Sequence, residues 1–198
     1  MRKLLFITFF ALFCKNLNAN ILEINGIWYN IIEKGNIAEV VRNPSIKTYS
    51  GTYSGDIVIP DKITYEDKEY KVITIKDAFL YSAELTSVSI PNTVTTIESC
   101  AFKGCSELAT IIIPNSVTSI GSSAFSECSS MTSFTIPNSI TTIESGTFSE
   151  CKGLTTIEIP NTITKIESYA FSGCSALTSV TIPNSVSFIG GHAFEWCI

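Results

Sequence analysis

Among the side chains of this sequence able to do chemistry, the cysteines come first. Five of the seven, Cys105, Cys128, Cys151, Cys174 and Cys197, fall 23 residues apart. Thiols can ligate zinc, form disulfides or attack a substrate, and each role demands its own spacing and surroundings. Zinc needs four donors converging on a tetrahedron. No C-x-x-C pair occurs, and one thiol every 23 residues delivers ligands singly. Disulfides are allowed by the even count of six once Cys14 is set aside, but a column of five equal positions cannot pair fully within itself. Ser82 also stands where a sixth member of the column would be. The expectation is therefore buried free thiols acting as small apolar fillers, with disulfides as the alternative.

His192 is the single histidine. Its position is held earlier by Cys100, Ser123, Gly146 and Tyr169, so a surface side chain is expected. Glu98, Glu144 and Glu167 recur at one outward position, interrupted by Gly121 and Gly190. Spread along a face, they are not the opposed carboxylate pair that glycoside hydrolysis requires. No nucleophile elbow, P-loop, dinucleotide fingerprint or H-E-x-x-H motif is present. These observations predict no enzyme, no cofactor and no metal site.

The elements that place these residues are repeats. Units beginning at Leu85, Leu108, Met131, Leu154 and Leu177 align without a gap, the first reading "LTSVSIPNTVTTIESCAFKGCSE". A unit this small cannot bury its apolar residues alone, so the copies must stack into a solenoid. The inward set of the first unit is Leu85, Val88, Ile90, Val94, Ile97, Ala101, Phe102 and Cys105. Val88 and Ile90 alternate with outward Ser87 and Ser89, a strand pattern that Pro91 ends. Stacked strands predict a parallel β-sheet along one side of the solenoid. Equal positions form columns: Phe79, Phe102, Phe125, Phe148, Phe171 and Phe194 predict an aromatic stack. Asn92, Asn115, Asn138, Asn161 and Asn184 predict a second column that satisfies turn backbone groups.

The core pattern of "LTSVTIPNSV", the 23-residue length and the A-F-x-x-C ending resemble the BspA-like class of leucine-rich repeats. The resemblance covers residues 85–198 and extends to an irregular first unit, 59–84, with an insertion. It implies a leucine-rich-repeat solenoid, and a secreted or surface protein of a host-associated bacterium, some relatives being adhesins or binders of host proteins.

The ends depart from the repeat. Residues 1–19 have a basic start, the apolar run "LLFITFFALF" and a small residue at Ala19, the pattern of a secretory signal peptide. A lipoprotein signal at Cys14 is disfavoured, because bulky Phe13 precedes it. Residues 20–58 read as a β-hairpin cap, with turns at "NG" and "EKGN". "ITYEDKEYKVITI" reads as a third hairpin, and adjacent Trp28 and Tyr29 as buried or half-buried cap residues. Residues 85–198 are five 23-residue repeats, the last ending at "FEWCI" one residue short, which suggests a fragment or truncated copy of a longer array.

Removing residues 1–19 takes away Arg2, Lys3 and Lys15 and no acid, so the net charge falls from −5 to −8. An acidic chain repels phosphate backbones, which excludes nucleic acid as a natural partner. No segment after the leader is apolar enough to cross a membrane as a helix. The candidate binding face is the outward side of the strands. One column is Ser87, Thr110, Ser133, Thr156 and Ser179; its neighbour is Ser89, Ile112, Thr135, Glu158 and Thr181. The expected role is a secreted or cell-surface module recognising an extracellular or host protein, with glycans as a second class of ligand. The alternative is a structural spacer that binds nothing, its threonines serving only strand propensity and solubility.

Overall fold

The computed structural model describes residues 20–46 and 51–197. The described residues form strands and turns without a helix. The leader, Cys14 and Ile198 lie outside them.

The N-terminal portion is a run of hairpins. β1 (Ile21–Ile24) pairs antiparallel with β2 (Ile27–Ile32), and β2 with β3 (Ile37–Val41). Asn25 and Gly26 join β1 to β2 with φ of 52° and 80°, the tight hairpin turn that Asn-Gly favours. After β4 (Gly55–Val58), β5 (Lys62–Tyr65) and β6 (Lys68–Ile75) form a further antiparallel pair. Their turn places Glu66 and Asp67 at φ 48° and 58°. Parallel pairing of β3 with β6 fastens the hairpins to the coils. Trp28 and Tyr29 are adjacent on β2 and point to opposite faces, yet both are buried. Strand β2 is thus covered on both sides. The Trp28 backbone N–H donates to the Tyr53 hydroxyl at 3.1 Å. Burial pushes the Tyr53 phenol up to about 12.

The repeats form coils with three sides. The first side holds β4, β7 (Leu85–Ser89), β10 (Ser133–Thr135) and β12 (Thr156–Glu158). The second holds β6, β8 (Thr96–Ile97), β9 (Ser119–Ile120), β11 (Thr142–Ile143), β13 (Lys165–Ile166) and β14 (Phe188–Ile189). At the corner between them, the carbonyl of each proline in I-P-N accepts the N–H three residues on, as in Val94 to Pro91 at 3.1 Å. The asparagines themselves are exposed there. At two junctions a coil-to-coil bond at this corner comes instead from the next hydroxyl: Ser116 donates to the Val94 carbonyl at 2.7 Å, and Ser139 to that of Val117.

The parallel sheet expected on the first side is present at two junctions, β4 with β7 and β10 with β12. The continuous connection runs elsewhere. Along the A-F-x-x-C side, amides of one coil donate to carbonyls of the next at every junction. The Phe residues carry the centre of this ladder: Phe79 to Ala101, Phe102 to Ala124, Phe125 to Thr147, Phe148 to Ala170 and Phe171 to Ala193, at 2.8–3.0 Å. This third side is a backbone spine. Its residues are held in tight i to i+3 turns, among them Lys103 to Cys100 and Cys105 to Phe102. A period-2 pattern therefore gives no sign of it.

The core sits between the three sides. The six phenylalanines stack with ring centroids 5.0–5.9 Å apart and planes within 9° of parallel, extended by Tyr53 beyond Phe79. Phe79, Phe102, Phe125, Phe148 and Phe171 are buried, as are Leu85, Leu108, Met131, Leu154 and Leu177 at the start of each unit.

Candidate functional site

Chemistry is absent from the periodic cysteines for a visible reason. Each thiol donates to the carbonyl of the phenylalanine one coil back: Cys105 to Phe79, Cys128 to Phe102, Cys151 to Phe125, Cys174 to Phe148 and Cys197 to Phe171, at 3.0–3.2 Å. All are free thiols, as is half-buried Cys100. Burial pushes Cys105 and Cys174 up to about 12 and holds Cys128 and Cys151 well above the ordinary thiol range. A thiol that keeps its proton is neither nucleophile nor metal ligand. No group of three His, Cys, Asp or Glu side chains among the described residues is placed to hold a metal ion.

His192 is exposed, and it has neighbours that its position in the repeat could have named. Its ring stacks on Tyr169, the same position one coil earlier, with centroids 5.0 Å apart. Its Nδ1 lies 3.2 Å from a Glu195 carboxylate oxygen. Glu98, Glu144 and Glu167 are half-buried, one per coil.

Of the ten proposed face residues, Ser87, Ser89, Ser133, Thr135, Thr156 and Glu158 lie on first-side strands, while Thr110, Ile112, Ser179 and Thr181 hold the same repeat positions in coils whose first side forms no strand. Ser89, Thr110, Ile112, Ser133, Thr135, Thr156, Glu158, Ser179 and Thr181 are exposed; Ser87 is half-buried. Pairing aligns Ser133 with Thr156 and Thr135 with Glu158, so the columns run straight through that junction. The columns also extend one coil further toward the N-terminus than the repeat alignment reaches. Asp56 pairs with Ser87 and Val58 with Ser89. The signal was in the sequence: D-I-V-I-P matches S-V-S-I-P, and the insertion after Ile63 conceals the alignment beyond.

Asp56 is fixed in place by hydroxyls. Ser87 and Thr86 donate to its Oδ1 at 2.6 and 2.8 Å, and these bonds hold its carboxyl below the ordinary carboxylate range. The face therefore has a carboxylate near each end, Asp56 and Glu158, with short hydroxyls between. Two apolar side chains stand out from it, Val58 at 69% and Ile112 at 84% exposure. Toward the C-terminus, the face deepens into an open depression of about 710 Å³. It is lined by Thr156, Glu158, Asn161, Ser179, Thr181 and Asn184 with apolar residues beneath. Such a surface offers extended contact and hydrogen bonding, with no group poised for bond making.

Residues 73–198 match the BspA type leucine rich repeat region in six copies. Among solved structures, the chain is 30% identical to a leucine rich cell surface protein from Faecalibacterium prausnitzii. The TM-score is 0.64, over 89% of this chain and 52% of that one. Two others show the fold alone. They are the T. pallidum Leucine Rich Repeat protein, 22% identical with TM-score 0.65 over 85% of each chain, and the pneumococcal vaccine antigen PcpA. The latter is 24% identical with TM-score 0.69 over 90% of this chain and 48% of that one. The chain thus spans about half the length of the Faecalibacterium and pneumococcal proteins. No curated protein matches it. No helix among the described residues is long and apolar enough to cross a membrane. The repeats, the coil geometry and the match over residues 73–198 agree, and the chain belongs to the BspA type leucine-rich repeat family.

Proposed function

We propose that this protein is a non-enzymatic recognition module, exported by residues 1–19 and working at or beyond the cell surface, which binds an extracellular or host protein through its first-side strand face. The observation that carries this reading is the face itself. Its outward residues recur coil after coil from Asp56 and Val58 to Ser179 and Thr181, chemically mixed, and strand pairing aligns Asp56 with Ser87, Val58 with Ser89, Ser133 with Thr156 and Thr135 with Glu158. Extended solenoid faces of this kind serve broad contact. Ile112 is the natural apolar anchor, because a large side chain so exposed gains most from burial under a partner. Hydroxyls on either side supply hydrogen bonds without large desolvation. The Faecalibacterium relative is a cell surface protein, which supports the location.

The spacer reading is favoured by a different observation: few large aromatic or arginine side chains stand on the face, and such residues dominate tight interfaces. A direct test separates the two. The mature chain would be titrated against immobilised extracellular-matrix proteins, cell-surface proteins and glycans, beside an Ile112→Arg variant whose fold is checked by circular dichroism. Saturable protein binding that the variant weakens at least about tenfold fits recognition. No saturable binding by the folded parent fits the spacer.

A further inference from the structure

We infer that the junction between the coil of residues 108–130 and the coil of residues 131–153 is the weakest seam of the solenoid, dividing it into two blocks that part there before any other junction opens. This inference is independent of any ligand.

Strand pairing partitions the chain at this place. The seven-stranded sheet ends at β9, Ser119–Ile120, and the β4–β7 pair ends earlier. The remaining sheets begin at Ser133 and Thr142. Among the described residues no strand pair joins the two sets. Every other junction keeps its second-side pair: β6 with β8, β8 with β9, β11 with β13, and β13 with β14. At those junctions flanking amides reinforce the pair, such as Thr118 to Thr95, Gly121 to Ile97, Thr164 to Thr141 and Glu167 to Ile143. At the seam the connection is the third-side ladder, Ser123 to Ser145, Phe125 to Thr147 and Glu127 to Ser149. The Cys151 thiol on the Phe125 carbonyl and the Ser139 hydroxyl on the Val117 carbonyl add to it.

The cause is a side chain. Phe134 occupies an inward strand position held by Val88, Ile111, Ile157 and Val180 in the other coils. Its ring inserts beside the aromatic column, 4.9 Å from Phe125 and 4.7 Å from Phe148. There the column is stretched: Phe125 and Phe148 are 5.9 Å apart, against 5.0–5.4 Å at the other four steps. The same coil carries Thr147 where the others carry alanine, its hydroxyl turned to the Glu144 carbonyl at 2.8 Å. Larger groups in one coil hold the neighbouring coils apart on the strand side. A junction bound chiefly along one side has the fewest bonds to break, and repeat arrays open at their weakest interface.

Hydrogen exchange supplies an internally matched test. Cys100, Phe102 and Gly104 donate across the preceding junction, Ser123, Phe125 and Glu127 across the seam, and Gly146, Phe148 and Glu150 across the next. The bonds are alike in position and length, so differences in exchange read the opening of each junction. The seam amides are expected to exchange at least about tenfold faster than both neighbouring sets. In Phe134→Ile, which restores the side chain of Ile111 and Ile157, their exchange should slow toward the neighbours. Equal rates at the three junctions of the parent chain would overturn the inference. So would faster exchange at the seam in Phe134→Ile.

Discussion

At the residue scale, the columns divide into positions that tolerate change and positions that do not. Phe102 and Phe148 are sealed between ring neighbours on both sides. Replacing either with alanine removes contacts in two directions and is expected to cost about 3–5 kcal/mol in urea unfolding. Ser123 is the opposite case. It holds φ at 56°, a conformation that disfavours a Cβ, while Gly146 holds the same place one coil on at φ 63°. Ser123→Gly is expected to leave the midpoint unchanged or raise it, by up to about 1 kcal/mol, in the same assay.

The thiols give a pH dependence. Burial favours their protonated forms, so the folded chain keeps protons that the unfolded chain releases. The contribution of Cys105 and Cys174 is complete below the ordinary thiol value of 9.0 and is lost as pH rises toward about 12. Unfolding midpoints measured from pH 7 to 11 should fall above pH 9, and less steeply in Cys174→Ser. The buried cysteine column was legible because its period is regular. The carbonyl each thiol reaches was not, since it depends on how far one coil is offset from the next.

At the element scale, backbone contact between coils decides which substitutions the stack accepts. Gly121 follows β9, and a Cβ there would lie 2.5 Å from the Ser99 backbone nitrogen. Backbone cannot swing aside as a side chain can, so the β8–β9 step must shift. Gly121→Ala should cost roughly 1–3 kcal/mol, read by thermal or urea unfolding. Much of the first side was readable, because V-S-I-P alternates and proline punctuates it. The second side rests on two residues per coil, too few to show a period. The third is built from turns, whose ladder appears only when coils stack. The seam was hidden for another reason: Phe134 replaces one apolar residue with another, and the pattern records apolar character without recording length. Asp56 and Val58 were missed because the β5–β6 hairpin interrupts the repeat between Ile63 and Thr74, where the second side resumes.

At the scale of the whole molecule, the hairpins cover one end of the aromatic column through Tyr53, and the spine gives the array its continuity. The first-side face is then free of structural duty over most of its length. Its outward side chains can vary without disturbing the core, which is the condition for a recognition surface. The central claim is that this face, and no other, carries binding. The most direct measurement compares two folded variants of the mature chain against a ligand that the parent binds saturably. Thr135→Arg with Thr156→Arg alters the strand face, and Lys152→Glu, beside Glu150 at an exposed third-side position, alters a different one. Loss of binding in the strand-face variant alone is the predicted result; retained binding there, or equal loss in both, would contradict it.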